Sequence, residues 1–252
     1  MQTYFVDEKN WQENEVIISD DAHHIIRVMR YNIGDKILCV HPNTQVAKCN
    51  IIAINNDEET VHAKIIEWLN VDNELPVRVT ILQSLPKGNK LELIIQKGTE
   101  LGANQFILFE SERSIVKWDE KKVKKRIERY NKIAKEASEQ SKRNIIPQIK
   151  YVKNINDYLK NKNNVNSIKL IAYEEEAKQK RTTSFSKLLQ SVKENEEIIV
   201  CIGPEGGFTE EEIVFFKEYG FEPIRLGKRI LRTETASLYT LAAISYHFEE
   251  LE

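Results

Sequence analysis

Short apolar segments separated by polar turns dominate the first part of the chain. Three of them have the length and composition of strands, and acidic or asparagine-rich turns lie between them: residues 33–40, 46–54 and 60–66. One helix is predicted over residues 20–29, with Asp20 or Asp21 as its cap. The pattern therefore predicts a small β-barrel-like domain over residues 1–73.

The pattern changes after a polar segment that ends at Pro76. Apolar runs then alternate with helical segments, which is typical of a sheet covered by helices. Strands are predicted over residues 77–83, 105–109, 168–173, 197–202 and 221–226. Helices are predicted around residues 91–101, over residues 120–141, after the capping box at residues 209–212, and over residues 235–248. The second domain is therefore predicted to be an α/β domain over residues 74–252.

Composition and sequence patterns argue against a membrane-spanning, secreted or zinc-binding protein. The chain has 252 residues, a formal net charge of −2 and 41% hydrophobic residues, as in an ordinary soluble protein. No apolar stretch is long enough to cross a membrane, and the first residues lack the pattern of a secretory signal. The three cysteines have no paired spacing, which argues against a disulfide framework or a zinc site. We therefore expect a cytoplasmic protein with no membrane partner and no metal.

Two glycine-bearing turns near the C-terminus are the most informative feature. Each follows a short apolar run and leads into a predicted helix: residues 198–208 and residues 224–236. Glycine at the end of a buried strand allows a sharp turn and a close approach of a ligand to the main chain. The glycine patterns of phosphate-binding loops and of dinucleotide-binding folds are both missing. The two turns predict one small-molecule crevice, and the alternative is a pair of tight strand-to-helix turns.

Charged residues near these turns are candidates for chemistry. Arg232 and Glu234 follow the apolar residues Ile230 and Leu231. Because burial of the two apolar side chains would fix the loop, we expect the charged side chains to point into a site, and the alternative is a solvated loop. Glu136, Gln140 and Arg143 are spaced to share one helix face, which would suit the edge of a pocket. Arg113 follows a predicted strand, where open α/β sheets place ligand-binding loops. Arg27 and Arg30 form either a phosphate-contacting surface or an ordinary polar helix face.

Four segments resemble one family in the same order along the chain. They are Gln96-Lys97-Gly98-Thr99-Glu100-Leu101-Gly102, Glu136-Ala137-Ser138-Glu139-Gln140-Ser141-Lys142-Arg143, Gly203-Pro204-Glu205-Gly206-Gly207-Phe208, and Leu226-Gly227-Lys228-Arg229-Ile230-Leu231-Arg232-Thr233-Glu234-Thr235-Ala236. Together they are similar to the bacterial 16S rRNA uracil-N3 methyltransferases, and the resemblance covers essentially the whole chain. One departure is Gln2-Thr3-Tyr4 before Phe5, where the family often has an arginine.

The resemblance implies a fold and a reaction. The family belongs to the SPOUT methyltransferases, with an N-terminal PUA-like barrel, a C-terminal α/β domain with a trefoil knot, and a homodimer. It implies S-adenosylmethionine as methyl donor and 16S rRNA of the 30S subunit as acceptor, at N3 of uridine 1498. Two alternatives are a ribose 2′-O methyltransferase on the same fold and a non-catalytic RNA-binding adaptor. An apolar face of the last helix, with Leu238, Leu241 and Phe248, belongs either to the dimer interface or to the subunit's own core.

Carried onto this sequence, the resemblance assigns roles to individual residues. Arg232 and Arg143 are candidates for stabilising charge on the uracil oxygens, and Glu234 or Glu205 would orient them or accept the proton. The expected donor-binding residues are Ile202, Gly203, Glu205, Gly206, Leu226, Gly227, Ile230, Leu231, Thr235 and Ala236. The expected RNA-binding residues are Arg27, Arg30, Lys97, Arg113 and Gln140.

Overall fold

The computed structural model describes residues 1–161, 167–173 and 184–251, which form two compact units. The first unit is Met1–Glu74 together with Ser138–Ile145, and the second is Leu75–Ala137 together with Ile146–Glu252. The predicted division between residues 73 and 74 missed the second segment of the first unit. That segment belongs there because Glu74 accepts hydrogen bonds from the Arg143 guanidinium and from the Asn144 amide.

A five-stranded sheet forms the first unit. Its strands are β1 (Thr3–Phe5), β2 (Glu15–Ile18), β3 (Lys36–Val40), β4 (Val46–Asn55) and β5 (Thr60–Leu69). Their order is β1-β3-β4-β5-β2, with only the β1–β3 pair parallel. The three predicted strands are confirmed as β3, β4 and β5. The predicted helix over residues 20–29 is present but shorter: Ala22 and His23 are α-helical and His24–Val28 is π-helical. It ends before Arg30, where the chain enters the left-handed region with φ 56°.

A six-stranded parallel sheet forms the centre of the second unit. Its strands are β6 (Arg78–Ser84), β7 (Gln105–Phe109), β8 (Gln148–Val152), β9 (Ser167–Ala172), β10 (Glu197–Ile202) and β11 (Glu222–Ile224). Their order is β11-β9-β10-β6-β7-β8. The continuous apolar run of β10 reflects its central position, since both of its faces are buried. The predictions missed β8, an edge strand whose short sequence mixes polar and apolar residues.

Helices cover both faces of this sheet. They are α1 (Lys90–Glu100), α2 (Glu120–Ser141), α3 (Ile155–Asn161), α4 (Phe185–Leu189), α5 (Glu210–Glu218) and α6 (Thr233–Glu249). Ile198 and Val200 of β10 share a core with α1, α2, α4 and α6, whereas Ile199 and Cys201 share the opposite core with α3 and α5. None of the helices in the described ranges is long and apolar enough to span a membrane.

Gly98 of α1 explains how closely the first helix packs. A Cβ atom at this position would lie 2.8 Å from Cζ of Phe106 and 3.2 Å from Cδ1 of Leu241. Only glycine therefore lets α1 approach β7 and α6 at this distance. The contact brings the start of α1 and the start of α6 to the same side of the second unit, where the candidate site lies.

Candidate active site

A crevice of about 530 Å³ lies at the carboxyl ends of β9 and β10 in the second unit. Ligands bind outside the carboxyl ends of strands in open α/β sheets, and this volume is usual for a small-molecule site. Both predicted glycine-bearing segments contribute to its wall. The lining residues are Arg113, Ala172, Tyr173, Ile202, Gly203, Pro204, Glu205, Gly206, Gly207, Phe208, Glu210, Ile230, Leu231, Arg232, Thr233 and Ala236.

The first glycine turn is held in place from two sides. A Cβ atom on Gly203 would lie 3.2 Å from the Phe208 ring, and one on Gly206 would lie 3.2 Å from Cβ of Arg113. Arg113 also donates a hydrogen bond of 3.1 Å from Nη1 to the carbonyl oxygen of Gly206. The turn is therefore a fixed wall whose main chain is exposed to the crevice. Arg113, predicted to contact RNA, is part of that wall.

A buried hydrogen-bond network joins the first turn to α6. The Thr233 hydroxyl donates to the carbonyl oxygen of Gly203 at 2.6 Å and accepts from Nε2 of Gln83 at 3.0 Å. Ser237, one helical turn later, donates to Oε1 of Gln83 at 2.6 Å. Because Gln83 is fully buried at the end of β6, these bonds fix the spacing between the two sides of the crevice.

Two carboxylates beside the crevice share one lysine. The Lys90 ammonium lies 2.7 Å from Oε1 of Glu205 and 3.2 Å from Oε2 of Glu234. Burial raises the pKa of Glu205, but hydrogen bonds from Lys90 and from the Lys87 amide outweigh it and lower the pKa below its usual value. The same hydrogen bond to Glu205 raises the pKa of Lys90. Glu205 and Lys90 are therefore both charged at neutral pH.

Arg232 differs from its charged neighbours in having no such partner. It is the residue that precedes α6, and its side chain is exposed. Its guanidinium makes no hydrogen bond or ion pair with any residue that the structure describes, and Glu234, two positions later, is paired with Lys90 instead. The donors of Arg232 are therefore available to a ligand at the rim of the crevice.

Family comparisons agree with this arrangement. Residues 73–245 match the model of an RNA methyltransferase domain, and residues 17–66 match an RNA methyltransferase PUA domain. The chain belongs to this RNA methyltransferase family. The predicted fold class, a PUA-like domain followed by an α/β methyltransferase domain, is confirmed. The trefoil knot stays a prediction of the resemblance.

Individual relatives cover nearly the whole chain. It is 45% identical to ribosomal RNA small subunit methyltransferase E of Bacillus subtilis, over 100% of this chain and 98% of that protein. The crystal structure of a ribosomal RNA small subunit methyltransferase E from Neisseria gonorrhoeae bound to S-adenosylmethionine superposes with a TM-score of 0.83 at 28% identity, covering 98% of each chain. A Legionella pneumophila methyltransferase structure with bound S-adenosylmethionine superposes with a TM-score of 0.84 at 26% identity, again over 98% of each chain.

Seven of the ten predicted donor-binding residues line the crevice of this RNA methyltransferase. They are Ile202, Gly203, Glu205, Gly206, Ile230, Leu231 and Ala236. Leu226 packs against the hydrophobic core, and Thr235 lies exposed on α6. Gly227 lines a different groove and has a φ of 90° with open space around it. A φ of this size favours glycine at this position, and a role of Gly227 in donor binding stays a prediction.

Arg143 occupies a different place from the one predicted. Helix α2 ends at Ser141, and Lys142 has a φ of 59°, so Arg143 leaves the helix and does not share a face with Glu136 and Gln140. Its side chain is buried in the first unit, where it pairs with Glu74. Arg143 therefore has a partner that accounts for its charge without any ligand.

The predicted RNA-binding residues are distributed over both units. Arg27, Arg30 and Gln140 are exposed in the first unit. Lys97 lies on α1 in the second unit and forms an ion pair with Glu100 at 2.8 Å, so part of its charge is compensated. None of these four residues lines the crevice.

Sequence reasoning missed several residues of the site. Ala172 ends β9, Tyr173 follows it, and both line the crevice, whereas Gln83 is the second-last residue of β6 and bonds to Thr233 of the crevice wall. The rule that ligands bind at the carboxyl ends of parallel strands could have found all three. Cys201 of β10 is fully buried, and burial raises the pKa of its thiol well above the usual value. Within the described ranges, no group of three or more His, Cys, Asp or Glu is arranged to hold a metal ion.

Proposed function

We propose that this protein transfers a methyl group from S-adenosylmethionine to N3 of a uridine in 16S rRNA, at the family's target position 1498. Support comes from the relative at 45% identity, which is a ribosomal RNA small subunit methyltransferase, and from two structural neighbours that hold S-adenosylmethionine. The observation that carries the proposal is a main-chain-lined crevice with Arg232 at its rim, where no residue in the described ranges pairs with the guanidinium.

The crevice fits the donor in both shape and chemistry. Apolar side chains of Ile202, Leu231 and Ala236 would contact an adenine ring, and the main chain of residues 203–207 would offer hydrogen bonds. A Cβ atom at Gly206 would lie 3.2 Å from Cβ of Arg113, so glycine lets the two segments of the wall pack closely there. When bound, S-adenosylmethionine supplies an electrophilic methyl group. No protein nucleophile is then required.

Arg232 is suited to the acceptor. Uracil becomes anionic when N3 loses its proton, and the charge is shared with the adjacent oxygens. A guanidinium that already has free donors stabilises such charge without reorganisation. Since N3 is hidden in a base pair, the acceptor is expected to be an unpaired or flipped-out uridine.

The first unit would hold the RNA. Arg27 and Arg30 are exposed there, beside Val28, Met29 and Ile33, whose side chains are also exposed. Basic residues contact phosphates, and exposed apolar residues can contact bases. Reversing the charges of Arg27 and Arg30 should therefore weaken binding of the 30S subunit more at low salt than at high salt.

A homodimer is part of the proposal. The apolar face of α6 that contains Leu241 and Phe248 packs on the core of its own unit, which removes it as an argument for the dimer. Tyr239 and Tyr246 of the same helix are exposed beside a groove of about 480 Å³. Such aromatic residues are common at protein interfaces. Sedimentation at low micromolar concentration should give twice the chain mass of 29.4 kDa, and a single species at 29.4 kDa would exclude the dimer.

Nucleoside mass analysis of 16S rRNA tests the proposed reaction. We expect RNA from a strain that lacks this chain to lose 3-methyluridine and to regain it when the gene is returned. Loss of a 2′-O-methylated nucleoside instead would identify the ribose methyltransferase. An unchanged nucleoside profile, together with no calorimetric binding of S-adenosylhomocysteine, would identify the RNA-binding adaptor.

A further inference from the structure

Lys90 connects the first glycine turn to α6 beside the candidate active site. It is the first residue of α1, and its ammonium contacts Glu205 in the first glycine turn and Glu234 in the first turn of α6. These carboxylates lie 29 positions apart in the sequence. Lys90 is therefore the point at which three segments around the crevice meet.

The charges around the crevice indicate how the contacts of Lys90 with the two carboxylates affect a bound ligand. Its lining carries two cations, Arg113 and Arg232, and two carboxylates, Glu205 and Glu210. Glu234 adds a third carboxylate whose side chain is only 14% exposed, and its Oε2 atom has no hydrogen bond to any described residue although the Lys90 ammonium lies 3.2 Å away. A carboxylate that is so poorly solvated acts on its surroundings more strongly than one in water. Without Lys90, the negative charges of Glu205 and Glu234 would both lose the cation that pairs with them.

We propose that Lys90 is a positioning residue that neutralises Glu205 and Glu234 and thereby keeps the acceptor end of the crevice favourable for an anionic uracil. This inference rests on the proposed function, because the charge in question develops on the acceptor base. Lys90 acts through the two carboxylates and need not touch the RNA.

A physical consequence separates this role from a purely structural one. Negative charge near an acid disfavours its deprotonation, so uncompensated carboxylates would raise the pKa of the bound uracil. The rate would then fall at neutral pH and recover as the pH rises. A general loosening of the crevice would instead slow the reaction by the same factor at every pH.

The test is a pH profile of single-turnover methylation of 30S particles at saturating S-adenosylmethionine. For Lys90→Met we expect a shift toward alkaline pH of about one unit, which is about a tenfold loss of rate at neutral pH. Lys90→Arg keeps the charge and should stay close to the unchanged protein. In the double variant Lys90→Met, Glu234→Gln, most of the alkaline shift should disappear.

Glu234→Gln alone provides an independent measurement if Lys90→Met fails to fold. It leaves Lys90 with one carboxylate, so the pH profile of this variant should move slightly toward acid pH. Loss of activity in Glu234→Gln would overturn the proposal, because that carboxylate would then act on the acceptor directly. A pH-independent loss in Lys90→Met would overturn it as well. Failure of the unchanged protein to form 3-methyluridine would instead refute the proposed function.

Discussion

Two arginines of the same predicted role have opposite surroundings in the two units. The Arg143 side chain is 2% exposed, and its guanidinium donates from Nε and Nη2 to the carboxylate of Glu74. Arg232 is exposed at the rim of the crevice, and no described residue pairs with it. A charge that the fold has already paired contributes to the structure, whereas a charge without a partner beside a ligand site is available for binding or catalysis.

Removing the buried arginine should have the largest effect on stability. Arg143→Met would leave the mostly buried Glu74 carboxylate, whose side chain is 14% exposed, without its cation, although the Asn144 amide still donates to it at 2.8 Å. We expect the free energy of unfolding to fall by about 3–5 kcal/mol, measured by chemical denaturation. Arg129→Met is the matched control, since Arg129 forms an exposed ion pair with Glu92 and its loss should cost less than about 1 kcal/mol.

A variant Arg143→Met that is as stable as the unchanged protein and yet inactive would contradict the structural role of Arg143. Arg143 would then act on the substrate, as the sequence alone suggested. An active but destabilised variant would support its structural role.

Changing the exposed arginine should have the largest effect on the reaction. Arg232→Lys keeps the charge but loses the planar pair of donors, so we expect the single-turnover rate to fall by about a hundredfold or more. Calorimetric affinity for S-adenosylhomocysteine should stay unchanged. Arg229→Lys, in the same exposed loop, is the control and should retain its rate. Parallel losses of stability and donor affinity would show that Arg232 only supports the loop.

The sequence predicted where helix α2 lies more reliably than it predicted the path of the chain after the helix ends. The bounds of α2 were predicted correctly, because its basic face and apolar positions follow helical periodicity. The capping box of α5 is also confirmed, with Thr209 accepting from the Glu212 amide. Periodicity could not reveal that Lys142 turns left-handed and sends Arg143 into the first unit. That outcome depends on Glu74, which lies 69 positions away in the sequence.

The crevice was predictable from local glycine turns, but its internal links were not. Gly203 and Gly206 end an apolar strand, a pattern that is visible in the sequence. The bonds between Gln83 and Thr233, or between Lys90 and Glu234, join positions that no local pattern relates. The likeness to a known family supplied the function, since neither spacing nor composition distinguishes a methyl donor from other small ligands.

Distorting the crevice wall beside Arg113 should weaken binding of the methyl donor, whereas changing Arg232 should slow the reaction. In Gly206→Val, the new Cβ atom would lie 3.2 Å from Cβ of Arg113, so the turn has to move. We expect calorimetric affinity for S-adenosylhomocysteine to fall at least about tenfold, which corresponds to about 1.4 kcal/mol. Gly206→Ala, with a smaller side chain, should show a weaker loss. Unchanged affinity in both variants would refute the crevice as the donor site.

The smallest expected effect concerns the residue next to Arg232. Thr233→Val keeps the side-chain shape but removes the hydroxyl that donates to the Gly203 carbonyl and accepts from Gln83. Since each such bond contributes about 1 kcal/mol, the free energy of unfolding should fall by about 1–2 kcal/mol. Thr235→Val changes an exposed hydroxyl on the same helical turn and should stay within about 0.5 kcal/mol of the unchanged protein. If the network also fixes where Arg232 stands, Thr233→Val should lower the single-turnover rate at saturating donor, and Thr235→Val should not. Equal rates in both variants would show that Arg232 keeps its position without the Gln83 network.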